Sequence, residues 1–419
     1  MALFEYIPTL ITFIFLLTII SYYALIFITI KKPVKTHKFS SITIIIPAHN
    51  EEKYVGDAIQ SALDADFDGK KQIIIIDDGS KDKTYEAALK YEKQGIEIIN
   101  TAHSGKAASL NLALNISMGS LIAVVDADSI VHKGSLNALK EEVERENTAA
   151  ATGIVKVKNR KKFICMWVHI EQLYNSLMRL LLSKINANIV TPGPLSMYRK
   201  KELLEAGGFS TVGFSEDIDV TIKLIRKGYR IGFSEKAVAE TNMPYTPKEF
   251  LRQRSRFARG ILSIFKRHLQ LNKAIIDVYT LPLFLFSYVQ AVIMGGFTIY
   301  QIAYGYINYF FSKSIYFSFD VLRFFFDWFS IIGFVKWAAG IITGTTPLTF
   351  IAAIGIISTF LSYPLFILSI IKFDKKFDAS HLIPIFFMFP FWLLIMLVYI
   401  LMLPEYFRKK QYNIWKKNE

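Results

Sequence analysis

Four stretches of this chain contain no charged residue at all: 7–30, 278–312, 348–371 and 382–404. A helix through a bilayer core of about 30 Å needs roughly 20 apolar residues, so each stretch is long enough to cross. Apolar runs of this length exclude a disordered or disulfide-scaffold protein. Run 7–30 exceeds a signal-peptide core, and no small-residue cleavage site follows it, so it reads as a retained helix. Lys31, Lys32, Lys35 and Lys38 come next, and the positive-inside rule puts the following segment in the cytoplasm. The expectation is a multi-pass protein of the cell membrane with a cytoplasmic domain.

Three C-terminal spans would leave the basic tail (Arg408, Lys409, Lys410, Lys416, Lys417) outside, so one more crossing is expected. Its candidate is 321–343, despite Arg323, Asp327 and Lys336; Arg323 and Asp327 stand four apart, at pairing distance on a helix. An interfacial or re-entrant helix there, or a break of 278–312 at Gly295-Gly296, are the alternatives. Five spans are expected, with the N-terminus outside and the C-terminus inside. The chain then divides into a first helix with basic linker (1–38), a soluble domain (39–246), a basic amphipathic interfacial helix (247–277), a membrane region (278–404) and a basic cytoplasmic tail (405–419).

Within 39–246, apolar runs bounded by turn residues sit at 42–46, 73–76, 96–99 and 121–125, separated by helical patterns such as 54–63 and 83–91. Strands alternating with helices imply βαβ units and a parallel sheet. Ligands of such sheets bind beyond the carboxyl ends of the strands. The polar clusters fall there: Pro47-Ala48-His49-Asn50-Glu51-Glu52 after the first run, Asp77-Asp78-Gly79-Ser80 at the second, Asp126-Ala127-Asp128 after the fourth. Two carboxylates at i and i+2 past a buried strand suit one hard divalent cation, with coordination sites left for a diphosphate. Taken alone, D-x-D is common in loops, and Asp77-Asp78-Gly79-Ser80 would pass for a turn with capping aspartates. Gly105-Lys106 opens a further helix, whose N-terminus and lysine suit phosphate oxygens.

These strings, with Gly105-Lys106-Ala107-Ala108-Ser109-Leu110-Asn111, Gly193–Arg199, Gly207-Gly208-Phe209, Ser215-Glu216-Asp217 and Gln253-Arg254-Ser255-Arg256-Phe257, resemble the family-2 glycosyltransferases of the GT-A fold. The last two resemble the T-E-D and Q-x-x-R-W motifs of the membrane branch, the poly-N-acetylglucosamine, hyaluronan, cellulose and chitin synthases. Order and spacing agree over about residues 40–265, with Ser215 in place of Thr and Phe257 in place of Trp. The resemblance implies an α/β GT-A domain (Rossmann-like, mainly parallel sheet) between membrane helices, and metal-dependent, inverting transfer from a UDP-sugar, UDP-GlcNAc or UDP-glucose. Residue by residue, it implies that Ala48, Glu51 and Asp78 hold the uridine and that Lys106 lies near the sugar-diphosphate. Asp126 would stand by the ribose or donor sugar, and Asp128 would bind Mg2+ or Mn2+. Asp217 would be the catalytic base, with Gln253, Arg256 and Phe257 closing over the diphosphate and the acceptor end. Asp219 is expected to be a cap or structural partner.

The net charge of +14 fits nucleic acid, anionic lipid or a phosphorylated substrate. Segment 247–273 carries eight Lys/Arg against Glu249, interleaved with apolar residues, and abuts membrane sequence. That placement favours membrane lipid and a diphosphate over nucleic acid. Arg254 and Arg256 are expected to serve the site, Lys266 and Arg267 the membrane. His49, His103 and His169 have no partners at metal-ligand spacing and are expected to be non-ligands; Cys165, the single cysteine, is expected to be buried and apolar. Three functions compete: a processive synthase extending and translocating a β-linked polysaccharide, a non-processive enzyme glycosylating a membrane lipid, and a transporter whose domain senses nucleotide-sugar. The absence of charged residues from 278–312, 348–371 and 382–404 counts against the third. Gln253–Arg256 favours the first, and Phe257 keeps the second open. An accessory subunit is left open.

Overall fold

The computed structural model describes residues 2–270, 274–374 and 377–407. Helix α1 (Ala2–Phe27) precedes a run of alternating elements: β1 (Ser41–Ala48), α2 (Val55–Asp64), β2 (Lys70–Asp78), α3 (Thr84–Leu89), β3 (Glu97–Thr101), α4 (Lys106–Ile116) and β4 (Leu121–Val124). There follow β5 (Ser129–Val131), α5 (Ser135–Val143), β6 (Thr148–Val157), α6 (Phe163–Lys184), β7 (Ser196–Arg199), α7 (Lys200–Glu205), α8 (Glu216–Arg226) and β8 (Arg230–Thr241). The strands form one mixed sheet in the order β3-β2-β1-β4-β7-β6-β8-β5. β1 is parallel to β2 and β4, whereas β7 is antiparallel to both β4 and β6. The four strands expected from the sequence are β1 to β4. The other four carry small and polar residues among the apolar ones, as in Thr148–Val157, and give no bounded apolar run.

Strands with two buried faces read as continuous apolar runs because helices cover both sides. Successive side chains alternate between the layers. Ile44, Ile46 and Ile75 pack with Val55 and Ile59 of α2, while Ile45, Ile74 and Ile76 pack with Leu110 and Leu114 of α4. The chain reverses its order across β1, whose neighbours are β2 and β4, so a crevice opens beyond the carboxyl ends of β1 and β4.

Helix α9 (Pro247–His268) follows β8, its start fixed by Pro247 in the first turn and by Thr246, whose side chain accepts from the Glu249 amide. The membrane region comprises α10 (Leu281–Tyr309), α11 (Phe319–Phe329), α12 (Ile331–Ile342), α13 (Phe350–Phe373), α14 (Ala379–Phe386) and α15 (Met388–Met402). A π-helical turn, Ile276–Thr280, leads straight into α10, so the end of the 247–277 segment belongs to the membrane helix. α10 does not break at Gly295-Gly296; Gly295 instead lets α15 approach, since a Cβ there would stand 2.8 Å from Met396. The 321–343 segment is bent by 86° between α11 and α12. That bend brings Lys336 to Asp327 at 2.6 Å, so Asp327 pairs with Lys336 and not with Arg323 as expected. Among the described residues, four helices are long and apolar enough to cross a membrane, five if the bent pair counts as one span. The basic tail residues 408–419 lie outside the described residues. At the other end of the membrane region, the Lys184 ammonium donates to the carbonyls of Leu25 and Ile28 at 2.7 and 2.9 Å, closing the end of α1 on α6. The molecule is a multi-pass membrane protein whose α/β core lies on the cytoplasmic side, where the lysines after α1 place it.

Candidate active site

The chain leaves β4 through Val125 into Asp126-Ala127-Asp128, at the crevice. Lys106, the first residue of α4, reaches across, with its ammonium 2.7 Å from Asp126 Oδ1 and 3.2 Å from Glu216 Oε1. Burial alone would lower this lysine's proton affinity, but Asp126 and Glu216 hold it above the ordinary lysine value. Gly193, in the loop before β7, lies over this contact, and a Cβ there would stand 2.5 Å from both Asp126 Oδ2 and Lys106 Nζ. Asp128 Oδ1 accepts from the hydroxyls of Ser129 and Thr241, each at 3.2 Å. Burial, and then Asp126, push the Asp128 carboxyl up to about 6.

Asp217 stands in the first turn of α8, its Oδ1 accepting the Ile218 amide at 2.9 Å. Burial, followed by the neighbouring Glu216, pushes its carboxyl up to about 7. On α9, Gln253, Arg256 and Phe257 all face the same cavity. Phe257 is 39% exposed there, with the Arg256 guanidinium 5.7 Å from its ring centre. The Gln253 amide oxygen is buried with no hydrogen-bond partner among the described residues. The cavity, about 2460 Å³, runs from Glu51 and Lys106 past Asp128 and Phe257 to Tyr288 and Trp392 among the membrane helices.

Ala48 and Asp78 stand behind this wall and do not line it. Ala48 is fully buried in the sheet. Asp78 Oδ1 accepts the Ser104 amide at 2.8 Å, and Oδ2 accepts the Gly105 amide at 2.9 Å and lies 2.9 Å from His103 Nδ1. This carboxylate therefore shapes the turn that delivers Lys106. Gly105 itself adopts φ 94, a left-handed conformation that glycine takes without strain.

Three expectations are corrected by the packing. Arg254 is not turned to a diphosphate: its Nη1 and Nη2 donate to Glu171 of α6 at 2.7 and 2.5 Å. Arg267 does not serve the membrane, because it pairs with Asp219, which also meets His268 at 2.8 Å and Lys223 at 2.6 Å. The histidines do have close partners, brought from distant parts of the chain: His49 and His103 with Asp78, His169 with Asp374 and His381.

These histidine groups do not suit a metal. His49 must donate from Nδ1 to the Asp78 carbonyl at 2.7 Å, and its other nitrogen faces Asn50 Nδ2 at 3.1 Å. His169 Nδ1 accepts the Val157 amide at 3.3 Å, so the proton sits on the nitrogen facing Asp374. Asp374 already receives Lys156 at 3.0 Å, Arg160, His169 at 3.0 Å and His381 at 2.8 Å. Asp126 and Asp128 offer the better fit: carboxylate oxygens only, crowded enough to raise the proton affinity of Asp128, as a hard divalent cation prefers. Asp219 and Cys165 are buried, as expected of structural residues.

Glu171 and Thr241 were not singled out by sequence reasoning, and Gly193 stood only as the start of the Gly193–Arg199 string, with no role given to it. For Glu171 the signal was available, since it is the single acid of α6. Nothing local marks Thr241, which reaches Asp128 through the pairing of β8 with β5.

Residues 43–205 match the model described as glycosyl transferase family 2. The poly-beta-1,6-N-acetyl-D-glucosamine synthase of Staphylococcus aureus (strain COL) is 29% identical over 237 residues, covering 55% of this chain and 57% of that protein. An N-acetylglucosaminyltransferase of Mesorhizobium japonicum is 27% identical over 243 residues, covering 54% and 57%. The chain thus matches a little over half the length of these curated relatives. Among solved structures, the mannosyltransferase PcManGT from Pyrobaculum calidifontis, in complex with GDP-Man and Mn2+, aligns over 88% of this chain and 100% of its own, with a TM-score of 0.58 and 18% identity. That likeness is one of fold. The fold and the carboxylate crevice define a GT-A glycosyltransferase core. Residues 43–205 are a glycosyl transferase family 2 domain, related to that of the membrane-bound poly-N-acetylglucosamine synthases.

Proposed function

We propose that this protein transfers a sugar from a UDP-sugar, with inversion, to the end of a growing β-linked polysaccharide, UDP-GlcNAc being the first donor to test. The observation that carries the reading is the cavity, in which Asp217, Asp126, Asp128 and Lys106 share one wall that continues into the membrane helices. The relatives named for N-acetylglucosamine transfer support the choice of donor.

In this reading Asp217 accepts the proton of the attacking hydroxyl. The acceptor oxygen bonds to C1 of the donor sugar as the bond from C1 to the diphosphate oxygen breaks, which releases UDP and inverts C1. A carboxyl with its proton affinity raised to about 7 is matched to that task near neutral pH. Asp126 and Asp128 would hold Mg2+ or Mn2+, which when bound neutralises charge on the departing diphosphate. Lys106 and Arg256 add fixed positive charge on the same side. Glu51 lines the nucleotide end, with Asp78 and Ala48 supporting it from behind. Gln253 offers its unpartnered amide oxygen to an acceptor hydroxyl, and Phe257 its ring face to the accepting sugar.

A second reading, one sugar placed on a membrane lipid, is favoured by the aromatic lining of the membrane end, Tyr288 and Trp392 among it. Product sizing after reaction with labelled UDP-GlcNAc, UDP-glucose or GDP-mannose separates the two. A ladder or polymer supports the synthase, whereas a single lipid-linked sugar overturns it in favour of the second reading.

A further inference from the structure

Two hydroxyls meet the carbonyl of Asp217 and a third backs them, and none of the three lines the cavity. Thr221 Oγ1 donates to the Asp217 carbonyl at 2.6 Å. Thr191 Oγ1 lies 2.7 Å from Thr221 Oγ1, and the Tyr198 hydroxyl 2.7 Å from Thr191 Oγ1. Thr191 also stands 3.3 Å from the Asp217 carbonyl. A carbonyl can only accept, so the chain of donation runs from Tyr198 through Thr191 and Thr221 to Asp217. All three side chains are buried, at 0–1% exposure, where leaving a hydroxyl without a partner is costly.

A threonine bonding the carbonyl four residues before it on a helix is routine. What is not routine is the extension of that bond to another element. Tyr198 lies on β7, directly opposite Ile122 of β4, the strand that ends at Asp126-Ala127-Asp128. Ser215, at the start of α8, makes no side-chain cap, so the first turn carrying Asp217 lacks the usual restraint.

We propose that the Tyr198–Thr191–Thr221 relay is a positioning device that fixes the first turn of α8 to the strand beside β4, and so sets where Asp217 stands relative to Asp126 and Asp128. The inference rests on the reading of Asp217 as the base. Misplacement of a reacting group by about 1 Å can cost about 10²-fold in rate, so a small shift of this turn is felt in kcat. Donor binding depends chiefly on the β1 and β4 loops and on Lys106, whose shorter contact is to Asp126 and not to α8, so it changes far less than kcat.

The test uses the full-length protein in detergent or nanodiscs. Thr221→Val removes the hydroxyl at nearly constant shape, Thr221→Ser keeps it, and Tyr198→Phe removes the head of the relay. Thr221→Val is expected to lower kcat about tenfold, the rate equivalent of 1.36 kcal/mol, with UDP affinity by calorimetry and donor KM unchanged. Thr221→Ser should keep near-normal kcat, and Tyr198→Phe should fall in the same direction as Thr221→Val. A merely structural role would lower the unfolding temperature and leave kcat alone. If Thr221→Val does not fold, Tyr198→Phe alone decides, and normal kcat in it overturns the proposal. Asp217→Asn runs beside them: if it abolishes transfer while Thr221→Val and Tyr198→Phe turn over normally, only the relay falls. Normal turnover in Asp217→Asn removes the base reading and the relay with it.

Discussion

Glu171 and Arg254 meet end on, Nη1 donating to Oε1 and Nη2 to Oε2, and neither side chain is more than about a tenth exposed. Arg254 also stacks over Phe250, 4.9 Å from its ring centre. The pair fastens α9 to α6 and so turns the next residues, Arg256 and Phe257, toward the cavity. Removing one partner of a buried ion pair leaves the other charge stranded, at a cost of about 3–5 kcal/mol. Glu171→Gln is therefore expected to lower the unfolding temperature markedly, and the double change Glu171→Leu with Arg254→Met to recover much of it. Unfolding of Glu171→Gln at the wild-type temperature would return Arg254 to the pool of diphosphate ligands.

Asp128→Asn and Asp217→Asn should fail in different ways. The first removes a charged oxygen from the metal-binding pair and is expected to weaken Mn2+-dependent UDP binding. The second should bind UDP and Mn2+ nearly as the parent does, yet lose transfer by about 10²–10⁴, the contribution of a positioned base. Calorimetry alongside turnover assays reads both. Normal turnover of Asp217→Asn with normal UDP binding would move the base assignment to Glu216.

The raised proton affinity of Asp217 fixes the sign of two pH effects. The base must be ionised, so kcat/KM should fall about tenfold per pH unit on the acid side of about 7. Stability runs the other way. A carboxyl with its affinity raised in the fold favours folding while protonated, an advantage present below its unfolded value and lost as pH rises through about 7. Asp217→Asn, permanently neutral, should thus raise the unfolding temperature at pH 8 and leave it unchanged at pH 4. A flat rate profile from pH 5 to 8 would contradict the assignment.

Phe257 is exposed to the cavity and not sealed in the core. Phe257→Ala is accordingly expected to fold, to bind UDP normally and to lose acceptor use, whereas Phe257→Trp should retain transfer. Wild-type rate and product length in Phe257→Ala would remove the ring from the acceptor's floor.

Gly193→Ala should be disproportionately damaging. Its new methyl would press on the Lys106–Asp126 contact from 2.5 Å, and Lys106, also held by Glu216, could move away only by loosening one of its two carboxylates. The expected outcome is a folded protein with UDP affinity reduced at least tenfold, measured by calorimetry.

The sequence showed most plainly what depends on neighbours along the chain. β1, β2 and β4 appeared as bounded apolar runs because both faces of each are largely buried, β3 as a shorter run at the half-buried edge of the sheet, and Asp126, Asp128 and Lys106 stood out because they end or begin these elements. Side-chain partners across the fold were not legible. Glu171 lies 83 residues from Arg254, and Asp374 lies 205 from His169. For the same reason the sequence placed Arg254 at the site and Arg267 at the membrane, until their carboxylate partners Glu171 and Asp219 showed both to be in structural ion pairs. Arg323, Asp327 and Lys336 left a re-entrant reading of 321–343 open, but the place and size of the bend between α11 and α12 were not legible, because they depend on how the two arms pack.

Asp374 ends α13 and is gripped by Lys156 and Arg160 beside β6, by His169 of α6 and by His381 of α14. α13 has 24 residues, about 36 Å of helix, more than a hydrocarbon core of about 30 Å accommodates upright. A lean, a kink at Pro364 or a local thickening of the bilayer takes up the excess. The sheet-side end of α13 is no slack joint, because its one carboxylate is held at once from β6, from α6 and from α14. As α6 also holds α9 through Glu171, two ion pairs in series tie this membrane helix to the one that bears Arg256 and Phe257.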